Sequence, residues 1–164
     1  IIKRMELFGL ELSKEKTRIL PFGRYSGSRE TFDFLGFTHF NSKTRKGYYT
    51  VGHKISRKKK KQFKSNLKKW VKKNRDKQFD EFMKKLNKKL TGSFNYYSLS
   101  GMIREVRNLW NHAQYVTFKW LNRRSQRRSF KLERFYEIWN DLIIHPYIHV
   151  DIWSGDRVIY NKNV

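Results

Sequence analysis

The stretch Lys54-Ile55-Ser56-Arg57-Lys58-Lys59-Lys60-Lys61-Gln62-Phe63-Lys64-Ser65-Asn66-Leu67-Lys68-Lys69-Trp70-Val71-Lys72-Lys73-Asn74-Arg75 decides how the chain is read. Phe63, Leu67, Trp70 and Val71 fall at i, i+4, i+7 and i+8, the period of one helix face. Twelve Lys or Arg fill the rest of residues 54–75 without one carboxylate. The segment is therefore an amphipathic helix with one narrow apolar stripe and an otherwise cationic surface.

Downstream the same period recurs. Asn74 to Gln78 breaks the chain, and a second helix carries Phe79, Phe82, Met83, Leu86, Leu90, Phe94 and Tyr97 on one stripe. Asp80 and Glu81 stand in its first turn, where carboxylates suit the helix dipole. After Ser98 to Gly101, a third helix carries Met102, Val106, Leu109, Trp110, Ala113, Thr117, Trp120 and Leu121. A polar connection, Asn122 to Ser129, precedes a fourth helix with Leu132, Phe135, Ile138, Trp139 and Leu142. The tail after Pro146 alternates weakly, with a small hairpin expected around Ser154-Gly155-Asp156.

Upstream the pattern is different. Residues 1–8 read as the end of a helix stopped by Gly9. Leu10-Glu11-Leu12 and Thr17-Arg18-Ile19-Leu20 read as short strands, and Gly23 to Ser28 as a loop. Phe32 to Phe40 reads as one aromatic strand, with Gly36 marking a bulge or a close backbone approach. Asn41 to Gly47 turns the chain, and Tyr48 to Val51 returns as a second arm. The expected class is α+β: a short hairpin-containing start, then a mainly helical bundle.

The charge balance narrows the function. There are 38 Lys+Arg against 14 Asp+Glu, a net charge of +24. No acid lies between Asp33 and Asp76, and none between Glu105 and Glu133. Solvated faces ordinarily mix both signs, so two long acid-free intervals rich in aromatics read as nucleic-acid contact surface. An anionic membrane surface is the second candidate, but Phe63 and Trp70 are needed for the bundle core. The absence of Cys removes disulfides, Cys-ligated zinc and thiol catalysis. No stretch approaches 18 apolar residues. The chain opens on Ile1 without Met, and a fragment of a longer protein is expected.

Four motifs carry a resemblance. Gly9 to Arg24, with Lys14, Lys16, Pro21 and Gly23, resembles the late palm motif of group II intron reverse transcriptases. Phe32-Asp33-Phe34-Leu35-Gly36-Phe37 is similar to their primer-grip hairpin. Lys85-Leu86-Asn87-Lys88-Lys89-Leu90-Thr91-Gly92-Ser93-Phe94-Asn95-Tyr96-Tyr97 resembles the maturase-specific region, as does Trp120 to Ser129. The motifs follow in the right order over residues 3–142.

The resemblance implies three parts: residues 1–53 as the end of a palm with its primer grip, 54–145 as the thumb and maturase-specific domain, and 146–164 as a tail. It implies partners, namely structured intron RNA, an RNA/DNA template-primer duplex and, in some members, a DNA target. Lys16 becomes a candidate general acid toward leaving pyrophosphate, with neighbouring Lys14 leaving the choice open. Phe34, Leu35, Gly36 and Phe37 become primer-grip candidates, against the plainer reading of a core strand. Arg57, Lys58, Lys59, Lys60, Lys61, Lys64, Lys68 and Lys72 read as phosphate contacts. Arg123, Arg124, Arg127 and Arg128 read as forks for RNA phosphates or unpaired bases, and Tyr96 as a base-stacking ring. The tryptophans read as packing, and His39, His53 and His112 as isolated.

The departures matter as much. Family members polymerise with adjacent aspartates and a third carboxylate holding two magnesium ions. Here no two of the six Asp are adjacent, and the resemblance places those motifs upstream of Ile1. This chain is thus expected not to polymerise alone and to hold no cofactor itself. No His-Asn-His endonuclease pattern is found around His145 and His149. Two alternatives stay open: a stand-alone RNA-binding splicing helper, and part of a reverse transcriptase outside introns, such as one at CRISPR loci. The expected setting is a bacterial-type cytoplasmic ribonucleoprotein, with an organellar one as the alternative.

Overall fold

A computed structural model describes residues 2–11, 13, 15, 17–124 and 129–147. The element order is α1 (Ile2–Glu6), β1 (Thr31–Phe34), β2 (Phe37–Lys43), β3 (Tyr49–Ile55), α2 (Arg57–Asn74), α3 (Phe79–Tyr97), α4 (Ile103–Leu121) and α5 (Leu132–Leu142). The strands form one antiparallel sheet in the order β1-β2-β3. The class is α+β. The chain divides into two compact units, residues 1–32 with 39–52 and residues 33–38 with 53–164.

The first unit is organised around Asn41. Its side-chain carbonyl accepts from the Gly23 N–H at 3.3 Å and the Tyr49 hydroxyl at 2.9 Å. Its amide donates to the Ser28 carbonyl at 2.9 Å and to Ser26 Oγ at 3.3 Å. One amide thus ties the loop before β1 to two strands, a use of both its donor and acceptor capacity. Asn41 lies within β2 and not in the turn, which spans Thr44 to Tyr48. Gly9 ends α1 as expected, at φ +65°, with Leu10 N–H bonded to the Met5 carbonyl and Gly9 N–H to that of Glu6. Thr17 to Leu20 forms no strand; of residues 10–12, Leu12 lies outside the described residues.

The expected single strand 32–40 is two strands. Leu35 and Gly36 both take positive φ, +49° and +83°, the signature of a two-residue hairpin turn between β1 and β2. Gly36 is thus one half of that turn and not a bulge, while the expected close backbone approach is present, the Ser56 N–H donating to its carbonyl at 2.9 Å.

The second unit is an up-and-down bundle. Its core is Leu67 and Val71 of α2; Phe82, Met83, Leu86, Leu90 and Phe94 of α3; Val106, Leu109, Ala113, Val116 and Leu121 of α4; and Phe135 and Trp139 of α5, all buried. These are largely the positions that the 3.6-residue period selects. Trp70 of α2 meets Phe82 of α3 at 5.4 Å, while Phe118 meets Phe135 at 5.3 Å and Trp110 meets Trp139 at 5.8 Å. The last two pairs run α5 antiparallel to α4. Beyond α5, the Ile144 N–H donates to Asn87 Oδ1 at 2.9 Å and Trp110 Nε1 donates to the Ile144 carbonyl at 3.1 Å. α3 passes through Gly92 unbroken.

Two glycines make opposite predictions. A Cβ at Gly52 would sit 2.4 Å from the Phe40 ring, whereas one at Gly92 meets nothing within 4 Å. Gly52→Ala is expected to lose about 1–3 kcal/mol by overpacking. Gly92→Ala is expected to gain roughly 0.5–1 kcal/mol from helix propensity. Thermal melts of the two variants should shift in opposite directions; equal shifts would contradict the packing described.

Candidate nucleic-acid interface

The basic helix α2 is capped only by Ser56, whose Oγ accepts from the Lys59 N–H at 3.4 Å. Arg57 to Lys61 fill its first turn with positive charge and no acid. Cations at a helix N-terminus oppose the macrodipole, each by roughly 0.3–1 kcal/mol where exposed. Apart from Lys60, which finds a carboxylate on α4, these residues therefore do not serve the stability of the helix that carries them.

What holds α2 is α4. Among the described residues they form the most extensive helix pair. Lys60 near the start of α2 pairs with Glu105 near the start of α4. Near the other end, Lys72 and Arg75 stand over the Trp120 ring, and Arg124 donates to the Arg75 carbonyl at 3.3 Å. The two helices accordingly run parallel, side by side.

That arrangement builds a face. Arg57, Lys61, Lys64, Lys68 and Lys72 recur at i, i+4, i+7, i+11 and i+15 along α2, and all are exposed. Arg104, Asn108, Asn111, Tyr115 and Lys119 recur at the same spacing along α4, and are exposed too. Lys119 stands 5.8 Å from the Tyr115 ring centroid. Between the stripes lies the seam, with Glu105, His112 and Trp120 on the α4 side. After Glu105, α4 contributes no carboxylate. The α4 stripe was absent from the sequence-based site. Its signal was available: the acid-free interval after Glu105 has polar and cationic residues at helical spacing.

The predicted phosphate contacts divide into exposed side chains and side chains committed within the fold. Lys60 is half-buried and paired with Glu105. The side chain of Lys59 lies where a Cβ at Gly36 would meet it at 3.3 Å. Lys58 is exposed but lies off the α2 stripe. Arg123 is exposed, whereas half-buried Arg124 donates to the carbonyls of Leu121 and Arg75, closing the ends of α4 and α2. Lys16, Arg127 and Arg128 lie outside the described residues, as does the tail beyond Tyr147. Asn122 clasps Phe130 through both backbone groups, at 2.8 and 3.2 Å, so the C-cap of α4 is tied to the residue two before α5.

The β1–β2 turn belongs to the same unit. The Tyr96 hydroxyl donates to the Leu35 carbonyl at 2.5 Å, and the Ser56 N–H donates to the Gly36 carbonyl at 2.9 Å. Phe37 stacks on Tyr96 with centroids 5.6 Å apart and meets Tyr97 edge-on. Burial raises the Tyr97 phenol pKa, with Tyr96 adding to it. The turn is thereby fixed to the start of α2 and the end of α3. Phe34 and Leu35 stay 59% and 67% exposed, while Phe37 points inward. Holding Leu35 at positive φ costs about 1–3 kcal/mol, which the two carbonyl bonds help offset.

Among the described residues, no three His, Asp or Glu gather where they could hold a metal ion. They supply no ligand set for the two magnesium ions that the resemblance implies. No helix among them is long and apolar enough to cross a membrane.

Residues 60–137 match the family model described as the group II intron, maturase-specific domain. The match supports a group II intron maturase, with a function in splicing and binding to intron RNA. It covers most of α2, all of α3 and α4 and the first half of α5. No curated protein and no solved structure gives a significant match.

His112 on the seam supplies a pH prediction. Burial lowers its pKa below the ordinary 6.5, and the charge of Lys64 lowers it further. The unfolded chain therefore binds a proton more readily than the folded one. The contribution to stability is present above pH 6.5 and is lost as pH falls through the folded pKa. His112→Gln should flatten the pH dependence of the denaturation midpoint below about pH 6.5; an unchanged slope would place the shift elsewhere.

Proposed function

We propose that this chain is the RNA-gripping C-terminal part of a group II intron reverse transcriptase/maturase. In this reading, the α2/α4 face holds intron RNA during splicing. With a catalytic palm in place, it holds the template-primer duplex, and the Phe34-Leu35-Gly36-Phe37 turn positions the primer end. Lys16 remains the proposed general acid of the intact polymerase.

One observation carries the reading. Two parallel helices, α4 wholly and α2 mostly inside the matched segment, present exposed cations and hydrogen-bonding side chains along a shared seam, and their only carboxylate, Glu105, is already paired with Lys60. Lysines act there as adaptable point charges against phosphates, while Asn108, Asn111 and Tyr115 offer hydrogen bonds and a ring to 2′-hydroxyls and bases. The fixed, exposed Leu35 on its strained turn, with exposed Phe34 at the end of β1 beside it, supports a contact surface at the turn.

The test is binding of the full 164-residue chain to a folded group II intron transcript across a salt series. With about 6–10 phosphate contacts, affinity should fall roughly 10³–10⁵-fold between about 50 and 200 mM salt. A flat salt response would remove the phosphate grip. Crosslinked peptides should map to α2 and α4; crosslinks confined to α3 and α5 would overturn the assignment of the face.

A further inference from the structure

Trp120 stands apart from the other tryptophans on apolar stripes. It is half-buried, and three cations surround its ring: Lys72 Nζ at 5.6 Å, Arg75 Cζ at 5.5 Å and Arg123 Cζ at 5.4 Å from the centroid. Lys72 lies in the last turn of α2, Arg75 is the C-cap of that helix, and Arg123 follows the C-cap of α4. Three like charges held within 5.4–5.6 Å of one ring centroid repel one another, and an anion between them would relieve that repulsion.

Two features gather them. The parallel helices α2 and α4 end side by side, and the partial negative charge of both C-termini favours cations there. The indole's negative face attracts each cation in turn. Neither feature uses up the donors that Lys72 and Arg123 carry, since the described ion pairs give neither of them a carboxylate. Arg75 has only a loose contact with exposed Asp76, at 3.7 Å. Arg124 is committed to the Leu121 and Arg75 carbonyls.

We propose that Trp120 is the post of an anion pocket in which Lys72, Arg75 and Arg123 together hold one RNA backbone phosphate. This rests on the RNA-binding reading above and assigns it a defined subsite. Two guanidinium forks and one ammonium can share the non-bridging oxygens of a phosphodiester. The indole is already ringed by cations and serves to place them, not to stack a base. The pocket also gives the face a direction. At the N-terminal end of the seam Glu105 pairs with Lys60, whereas at the Trp120 end three cations meet one ring with no carboxylate between them. A strand lying along the seam is registered there.

The experiment measures salt-dependent binding of the full chain to the folded intron transcript. Lys72→Gln, Arg75→Gln and Arg123→Gln should each lower the log–log salt slope by about one unit or less. Combined, they should lower it by about one unit in total, because they share one phosphate; a combined loss of about three would mean three separate phosphate contacts and overturn the shared pocket. Lys88→Gln, an exposed change on α3, should leave the slope unchanged. Trp120→Leu keeps every charge, yet should weaken binding several-fold and make Arg75→Gln nearly silent in that background. Trp120→Phe should restore most of the affinity, and it stands in if the leucine variant fails to fold. A steep wild-type slope with none of the three charge variants differing from Lys88→Gln would overturn the pocket and leave the RNA reading intact. A flat wild-type slope would overturn the RNA reading itself. Displacement of the RNA by poly-glutamate as readily as by oligouridylate of equal charge would overturn the phosphate assignment.

Discussion

The parallel packing of α2 on α4 is the interaction on which the rest depends. α2 has an N-terminal turn loaded against its own dipole and no acid anywhere along it. Such a helix is marginal by itself, because most helical stability in proteins comes from tertiary packing of an apolar face. Leu67 and Val71 supply that face, with half-buried Phe63 and Trp70 beside them. Burial of such side chains is worth about 1.5–3 kcal/mol each, enough to outweigh the unfavourable first turn. Glu105 neutralises the one α2 cation at the edge of the core, and Arg124 closes the far end of the pair. Everything else on the outer surface of the two helices is left free to meet a polyanion.

The β1–β2 turn depends on the same pair. Ser56 caps α2 with its side chain while its N–H holds the Gly36 carbonyl. Tyr96, near the end of α3, holds the Leu35 carbonyl. The turn is therefore set by the bundle as well as by its own strand pairing, which explains how exposed Leu35 persists at a positive φ. Proposed RNA contacts at this turn and along the seam would share one rigid support, a requirement for any surface that must keep a duplex in register.

Much of this was legible in residue order. The stripes of Leu67, Leu86, Leu109 and Phe135 announced four helices, and the breaks at Asn74 to Gln78 and Ser98 to Gly101 lie where the helices end. The resemblance of the segments around Asn87 and Trp120 agrees with the matched domain over residues 60–137. Other features were not legible. Gly36 marks a close backbone approach, as its carbonyl accepts from the Ser56 N–H, but the alternative of a bulge does not hold: periodicity cannot separate a bulge from a turn whose first residue, Leu35, is an unusual occupant of positive φ. Trp120 was assigned to packing because its helical position touches the apolar stripe. Its three cations come from residues remote in sequence or just beyond the helix. The α4 stripe was passed over because its charges are sparse beside those of α2.

The sequence by itself determined the class, the helical periods, the cationic excess and its confinement to acid-free intervals. All of these depend on residue type and local spacing. Only the tertiary structure decided that α2 and α4 lie parallel, and so which cations are spent and which remain. Lys60 and Arg124 are drawn into holding the bundle, while Lys72, Arg75 and Arg123 converge on one indole. That partition follows from distances between residues some 45 or more positions apart in the chain. Charge counting along the chain cannot supply it, because Coulombic and π contacts depend on separation in space.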